Sequence, residues 1–164
     1  MQLLAAEGYK RIALIALEEA GHDSQPFIKA YKRAVEDCGL KYEAMEFCNN
    51  SVVASMAGTR RLLDRKNPPD AIYVADDFVF YGVAEALAVS NVKPGVDLGV
   101  ITLSNRGHQL PPGNDWSRLE LDPHLFGHIA VDSLLRIIQT AGTEAGNIGV
   151  YASWRPGQTH KRPV

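Results

Sequence analysis

Pro68-Pro69-Asp70-Ala71-Ile72-Tyr73-Val74-Ala75-Asp76-Asp77-Phe78 sets a turn, a buried strand and two adjacent carboxylates in unbroken succession. Two prolines cannot stand inside a helix or a central strand, so the ordered element begins at about Asp70. Ala71 to Ala75 is a short apolar run without alternation, the pattern of a strand in a parallel sheet covered on both faces. Asp76 and Asp77 end it, and Phe78 to Ser90 has helix length with few breakers. Strand, sharp turn and helix therefore follow one another, with acids at the carboxyl end of the strand. In open parallel sheets that edge is where ligands bind.

The rest of the chain repeats the alternation. Leu3 to Glu7 reads as the last turns of a helix stopped by Gly8. Arg11 to Leu17 is a second central strand, a polar loop covers Glu18 to Gln25, and a helix runs from Pro26 to Cys38 with apolar residues at helical spacing. A shorter strand over Lys41 to Phe47 and a helix over Val52 to Arg65 follow. Leu98 to Leu103 is the fourth strand, and Ser104 to Asp115 is loop. Ser117 to Leu121 reads as a short strand, Pro123 to Thr140 as a long amphipathic helix and Ile148 to Trp154 as a last strand. The polar tail after Pro156 is expected to fray. Such alternation predicts an α/β fold, a three-layer doubly wound and mostly parallel sheet built from right-handed βαβ units.

Composition narrows the function classes. The 164 residues are 46% hydrophobic and 22% charged with a net charge of −2, which fits one globular domain and gives no field to hold a polyanion. The basic pairs Lys10-Arg11, Lys32-Arg33 and Arg60-Arg61 are scattered, so the chain by itself does not read as a nucleic-acid binder. Cys38 and Cys48 have neither redox nor zinc spacing. No apolar run approaches membrane-spanning length and no export signal opens the chain, which reads as cytoplasmic.

Four stretches carry a family resemblance: Gly8-Tyr9-Lys10-Arg11-Ile12-Ala13-Leu14-Ile15, Pro69 to Asp77 followed by Tyr81-Gly82, Pro94 to Ile101, and Leu119 to Leu135 with Asp122, Gly127 and paired leucines. In this order and spacing they resemble the effector-binding domain of LacI/GalR-type transcriptional regulators, which share the periplasmic sugar-binding protein fold. The resemblance covers nearly all of the chain. It implies that residues 1–164 are the second subdomain of such a domain, without the family's DNA-binding segment and first subdomain. Leu119 to Ala141 would cross towards that first subdomain and Ile148 to Arg155 would return. The apolar face of the helix from Pro123 would then lack its usual cover.

Each candidate site residue has a bland reading beside it. Asp77 precedes a helix and reads as its N-cap. Asp76 is freer, and a carboxylate at the mouth of the sheet can take hydrogen bonds from sugar hydroxyls or an amine; the resemblance places a ligand contact there. Phe27 stands where the family usually has an arginine, offering a stacking face or core packing. Asn50 is a ligand contact by resemblance or a helix cap. Ser104 and Asn105 follow the fourth strand where family members often carry acids. With arginine and acid both altered, an ordinary hexose is not implied. His124 and His128 have two-histidine spacing without a third ligand, and neither a metal nor a cofactor is expected.

Phe78, Val79, Tyr81 and Glu85 lie on a helix more apolar than one sheet face requires, which marks a homodimer interface. The expected function is effector sensing: a small polar molecule, a carbohydrate by resemblance, controls DNA binding by the intact regulator, and DNA is met only through an N-terminal domain outside this chain. No enzyme activity and no membrane are expected. The alternatives are a periplasmic solute-binding protein and a magnesium-dependent phosphotransfer or hydrolytic enzyme, for which Leu17, Glu18 and Ser104 make an incomplete acid set.

Overall fold

A computed structural model describes residues 1–18, 25–140, 146 and 148–161. Most of the loop expected over Glu18 to Gln25, including Ser24, and the end of the crossing segment at Ala141 lie outside the described residues. The elements are α1 (Gln2–Ala6), β1 (Ile12–Leu17), α2 (Gln25–Asp37), β2 (Met45–Cys48), α3 (Val52–Leu63), β3 (Ala71–Val74), α4 (Val79–Val89), β4 (Gly99–Asn105), β5 (Ser117–Leu121), α5 (Pro123–Gln139) and β6 (Ser153–Arg155).

The strands form one sheet in the order β2-β1-β3-β4-β5-β6. All neighbours are parallel except β6, which runs antiparallel to β5. The chain moves outward from β1 to β2 and then returns to the other side of β1 to form β3. That reversal opens a crevice at the carboxyl ends of β1 and β3, the topological switch point where doubly wound sheets bind ligands.

Side-chain alternation divides the core into layers. Ala13, Ile15, Ile72, Val74 and Val100 pack with Leu62 of α3 and Val79, Phe80, Val83 and Leu87 of α4. Leu14, Ala16 and Ala75 meet Tyr31 and Val35 of α2, and Ile12, Ala71 and Ile101 meet Leu4 of α1. The central strands are thus apolar throughout because both faces are covered. Gly82 lets α3 and α4 approach closely: a Cβ there would collide with Ser55 Oγ and the Val52 carbonyl.

Helix α5 is the exception, for it buries no residue. Leu125, Phe126, Val131, Leu134, Leu135 and Ile138 are all exposed. An amphipathic helix is normally stabilised by covering its apolar face; here Ile148 and Val150 border only a hollow beside Phe126, Ile129 and Ser133, and most of the face stays exposed.

Two sequence expectations are corrected at the end of the chain. The last strand is confined to Ser153–Arg155; Ile148 and Tyr151 upstream are exposed, because only the final three residues reach the edge of β5 and find pairing partners. The tail after Pro156 is packed rather than frayed. Thr159 and His160 are buried, the Val100 amide donates to the Thr159 carbonyl (2.7 Å), and the Thr159 hydroxyl donates back to the Val100 carbonyl (2.8 Å). The Ser117 amide donates to Thr159 Oγ1 (3.0 Å). The polar groups of the tail are buried at little cost because the backbone satisfies Thr159 and the Ser117 hydroxyl pairs with His160 Nδ1 (2.8 Å).

Candidate functional site

Parallel strands bring the ends of β1, β3 and β4 to one edge, and the acidic doublet stands there. Asp76 Oδ1 accepts the amide hydrogens of Phe78 (2.9 Å) and Val79 (2.8 Å), so the capping role read into Asp77 belongs to Asp76. A side chain caps amides two and three positions ahead of it, and Asp76 has that offset from both. Asp77 turns the other way. It is buried, and its Oδ2 accepts the backbone amide (3.0 Å) and side-chain amide (3.1 Å) of Asn105, tying β3 to β4. Asp76 Oδ2 accepts no hydrogen bond from the described residues and Asp76 is half-buried, so half of this carboxylate is open to a ligand.

The other ligand candidates divide. Asn105 is exposed at the end of β4. Ser104 is 2% exposed and its hydroxyl donates to the Asn105 carbonyl (3.3 Å), so it is withdrawn from the mouth: successive strand residues face opposite sides. Asn50 is exposed, and the cap of α3 is its neighbour, whose Ser51 Oγ accepts the Ala54 amide (3.4 Å). Phe27 is half-exposed on the first turn of α2 and borders an apolar hollow of about 120 Å3 with Leu14, Tyr31 and Tyr73.

Phe78, just before α4, and Tyr81 and Glu85 on it are exposed whereas Val79 is fully buried in the core, so the interface face read from sequence loses Val79. Val79 points inward because the helix period turns it onto the sheet with Val83. The loop after β4 folds over this face. Its His108 ring meets the edges of Phe78 and Tyr81 (centroids 5.4 and 5.9 Å) and stands 3.9 Å from Asp77 Oδ2, and the Tyr81 hydroxyl donates to the Gln109 carbonyl (2.5 Å).

One cluster was not anticipated. Glu120, almost buried on β5, receives Arg155 Nε (3.2 Å), Arg106 Nε (3.4 Å) and Arg118 Nε (3.4 Å), while Arg106 Nη1 also bonds Asp122 (2.5 Å). Burial works to raise the pKa of Glu120, but hydrogen bonds and charge from Arg155, then Arg106 and Arg118, outweigh it and hold the carboxyl below its usual value. Asp122 is also held low, first by the Leu125 amide it caps and, against some burial, by Arg106. The linear signal was faint: Arg118 and Glu120 alternate with Leu119 and Leu121, so β5 presents a charged face that the sheet must answer. Arg106 and Arg155 arrive only through the tertiary fold.

Among the described residues no helix is long and apolar enough to cross a membrane, and no three His, Cys, Asp or Glu side chains are grouped to hold a metal ion.

Comparison with known proteins bears on the fold. The family model described as a periplasmic binding protein-like domain matches residues 1–160. No curated protein matches the chain. Among solved structures, a LacI family transcriptional regulator from Bifidobacterium animalis subsp. lactis superposes with a TM-score of 0.84 at 20% identity, over 99% of this chain and 59% of that one. A LacI family transcriptional regulator from an Arthrobacter species, in complex with lactose, gives 0.77 at 18% identity over 98% and 61%. The lac repressor dimer bound to operator and an anti-inducer gives 0.84 at 21% identity over 98% and 48%. At these identities the likeness is one of fold, and the chain spans about three-fifths of the first two structures and about half of the third.

Proposed function

Because the chain belongs to the periplasmic binding protein-like domain family, we propose that it is the ligand-sensing part of a cytoplasmic LacI-type transcriptional regulator. It binds a small polar effector, a carbohydrate or a derivative of one, and thereby controls DNA binding by the intact protein. The observation that carries this reading is the placement of Asp76 at the switch-point crevice, with Asn105 at the end of the adjacent parallel strand. A half-engaged carboxylate and a side-chain amide are the groups that sugar hydroxyls pair with. The lactose complex of the Arthrobacter structure supports the same class.

Helix α5 supports the larger assembly. Its largely exposed apolar face fits a neighbouring subdomain that completes the cleft, and closure of two such walls on an effector is the hinge motion that shifts a regulator between states. Phe78, Tyr81 and Glu85 supply the homodimer face. Operator contact belongs to a separate DNA-binding segment, and no catalysis enters the mechanism.

Calorimetric titration with a panel of mono- and disaccharides tests the site. Asp76→Asn keeps a capping acceptor for α4 while removing the carboxylate, so stability is held near wild type. The best-bound sugar is expected to bind about tenfold or more weakly to this variant, the effect of a lost charge-assisted hydrogen bond. Equal affinity takes Asp76 out of the site, and a panel with no binder removes the carbohydrate reading.

A further inference from the structure

The cluster around Glu120 has more positive charge than its own carboxylates answer. Arg106, Arg118 and Arg155 face Glu120 and Asp122, and the amino end of the 17-residue helix α5, which starts beside them, adds potential of the same sign. Each guanidinium carries five N–H groups. Among the described residues Arg155 uses only Nε, and Arg106 and Arg118 use two nitrogens each. Were Arg106 alone with the two acids, the cluster would repel anions. Arg118 and Arg155 reverse that sign while leaving Arg106 half-exposed.

The position of Arg106 gives the excess charge a use. It directly follows Asn105 at the end of β4 and reaches the ends of β5 residues, while Asp76 closes β3 on the other side of β4. Two inter-strand spacings, roughly 10 Å, separate β3 from β5, a span one small molecule can bridge.

Building on the effector-sensing reading above, we infer that the effector is an anionic carbohydrate: its phosphate or carboxylate docks on Arg106, and its hydroxyl-bearing end faces Asp76. Arg118 and Arg155 are positioning residues that occupy Glu120 and keep Arg106 available.

Titrations of the chain with glucose, glucose 6-phosphate, glucuronate and inorganic phosphate at one fixed ionic strength test it. The anionic sugars are expected to bind about tenfold or more tightly than glucose, and which of the two gains more separates phosphate from carboxylate recognition. The gain should vanish in Arg106→Gln, survive in part in Arg106→Lys, and persist in Arg33→Gln, which removes one charge from an exposed pair far along α2. If Arg106→Gln does not fold, Arg155→Gln removes one charge without touching Arg106 and should also abolish the gain. Glucose binding as tightly as its anionic forms overturns the inference and leaves the sugar-sensing reading standing. A gain that persists in Arg106→Gln, or in Arg155→Gln when that variant replaces it, overturns the assignment, and the absence of binding by all four overturns the anionic-sugar inference, while the sugar-sensing reading is decided by the wider sugar panel above.

Discussion

Asp76 and Asp77 are neighbours with opposite surroundings, and strand geometry separates them. One faces the amides that open α4 and the mouth of the sheet; the other is sealed against Asn105. A doublet of this kind fastens two elements and still leaves one oxygen for a ligand. The other acids at this edge set the response to pH. Glu120 and Asp122 titrate lower in the fold than in the open chain, so as the medium is acidified the unfolded chain takes up protons first and stability falls. The contribution is complete above the ordinary carboxylate range, near pH 4, and is lost as pH drops through the lowered folded values. Thermal melts from neutral to acid pH should show this slope, and Glu120→Gln should flatten it; an unchanged slope in that variant would place the acid sensitivity elsewhere.

Among elements, the α3–α4 pair is the most demanding. Ser55 is fully buried beneath Gly82, its hydroxyl held by the Ser51 and Val52 carbonyls (3.0 and 3.2 Å). Turning the Ser55 hydroxyl aside would not clear the space, because the atoms around the missing Cβ also include the Val52 carbonyl and the Met56 amide. Gly82→Ala should therefore cost about 1–3 kcal/mol through overpacking, although alanine is the better helix former. The check is a lowered urea midpoint with an unchanged denaturant slope. Stability at or above wild type would mean that the two helices can move apart freely. Helix α5 contrasts with this pair: it has no fully buried residue, its first turn is held by the Asp122 cap, and only one side meets Ile148 and Val150.

For the molecule as a whole, two exposed apolar surfaces lie on different helices, α4 and α5. The α4 face carries Phe78 at 55% exposure and Tyr81, with His108 packed behind them, and it is the proposed homodimer surface. The α5 face is the proposed seat of the neighbouring subdomain. Sedimentation at micromolar concentration separates them. Wild type is expected to exceed monomer mass, Tyr81→Asp to return to monomer and Ile138→Lys to leave the dimer intact. A wild type that is already monomeric removes the dimer proposal, and loss of association only in Ile138→Lys moves it to α5.

Hydrophobic periodicity and turn chemistry are local, and they determined the parallel order of strand and helix, the central strands over Ile12 to Leu17 and Ala71 to Val74, and the unusual apolar excess of the helix from Pro123. The same local information could not say which of two adjacent aspartates caps α4, because that depends on which side of the strand each carboxylate leaves. Nor could it show that Val79 turns inward, that Ser104 is withdrawn, or that Thr159 and His160 in the polar tail are buried, satisfied by the backbone of β4 and β5 and by the Ser117 hydroxyl. The arginines at 106, 118 and 155 meet one carboxylate from three separate segments. Their convergence is a property of strand order, and only the folded sheet, by placing β4, β5 and β6 side by side, brings their charges close enough to act together.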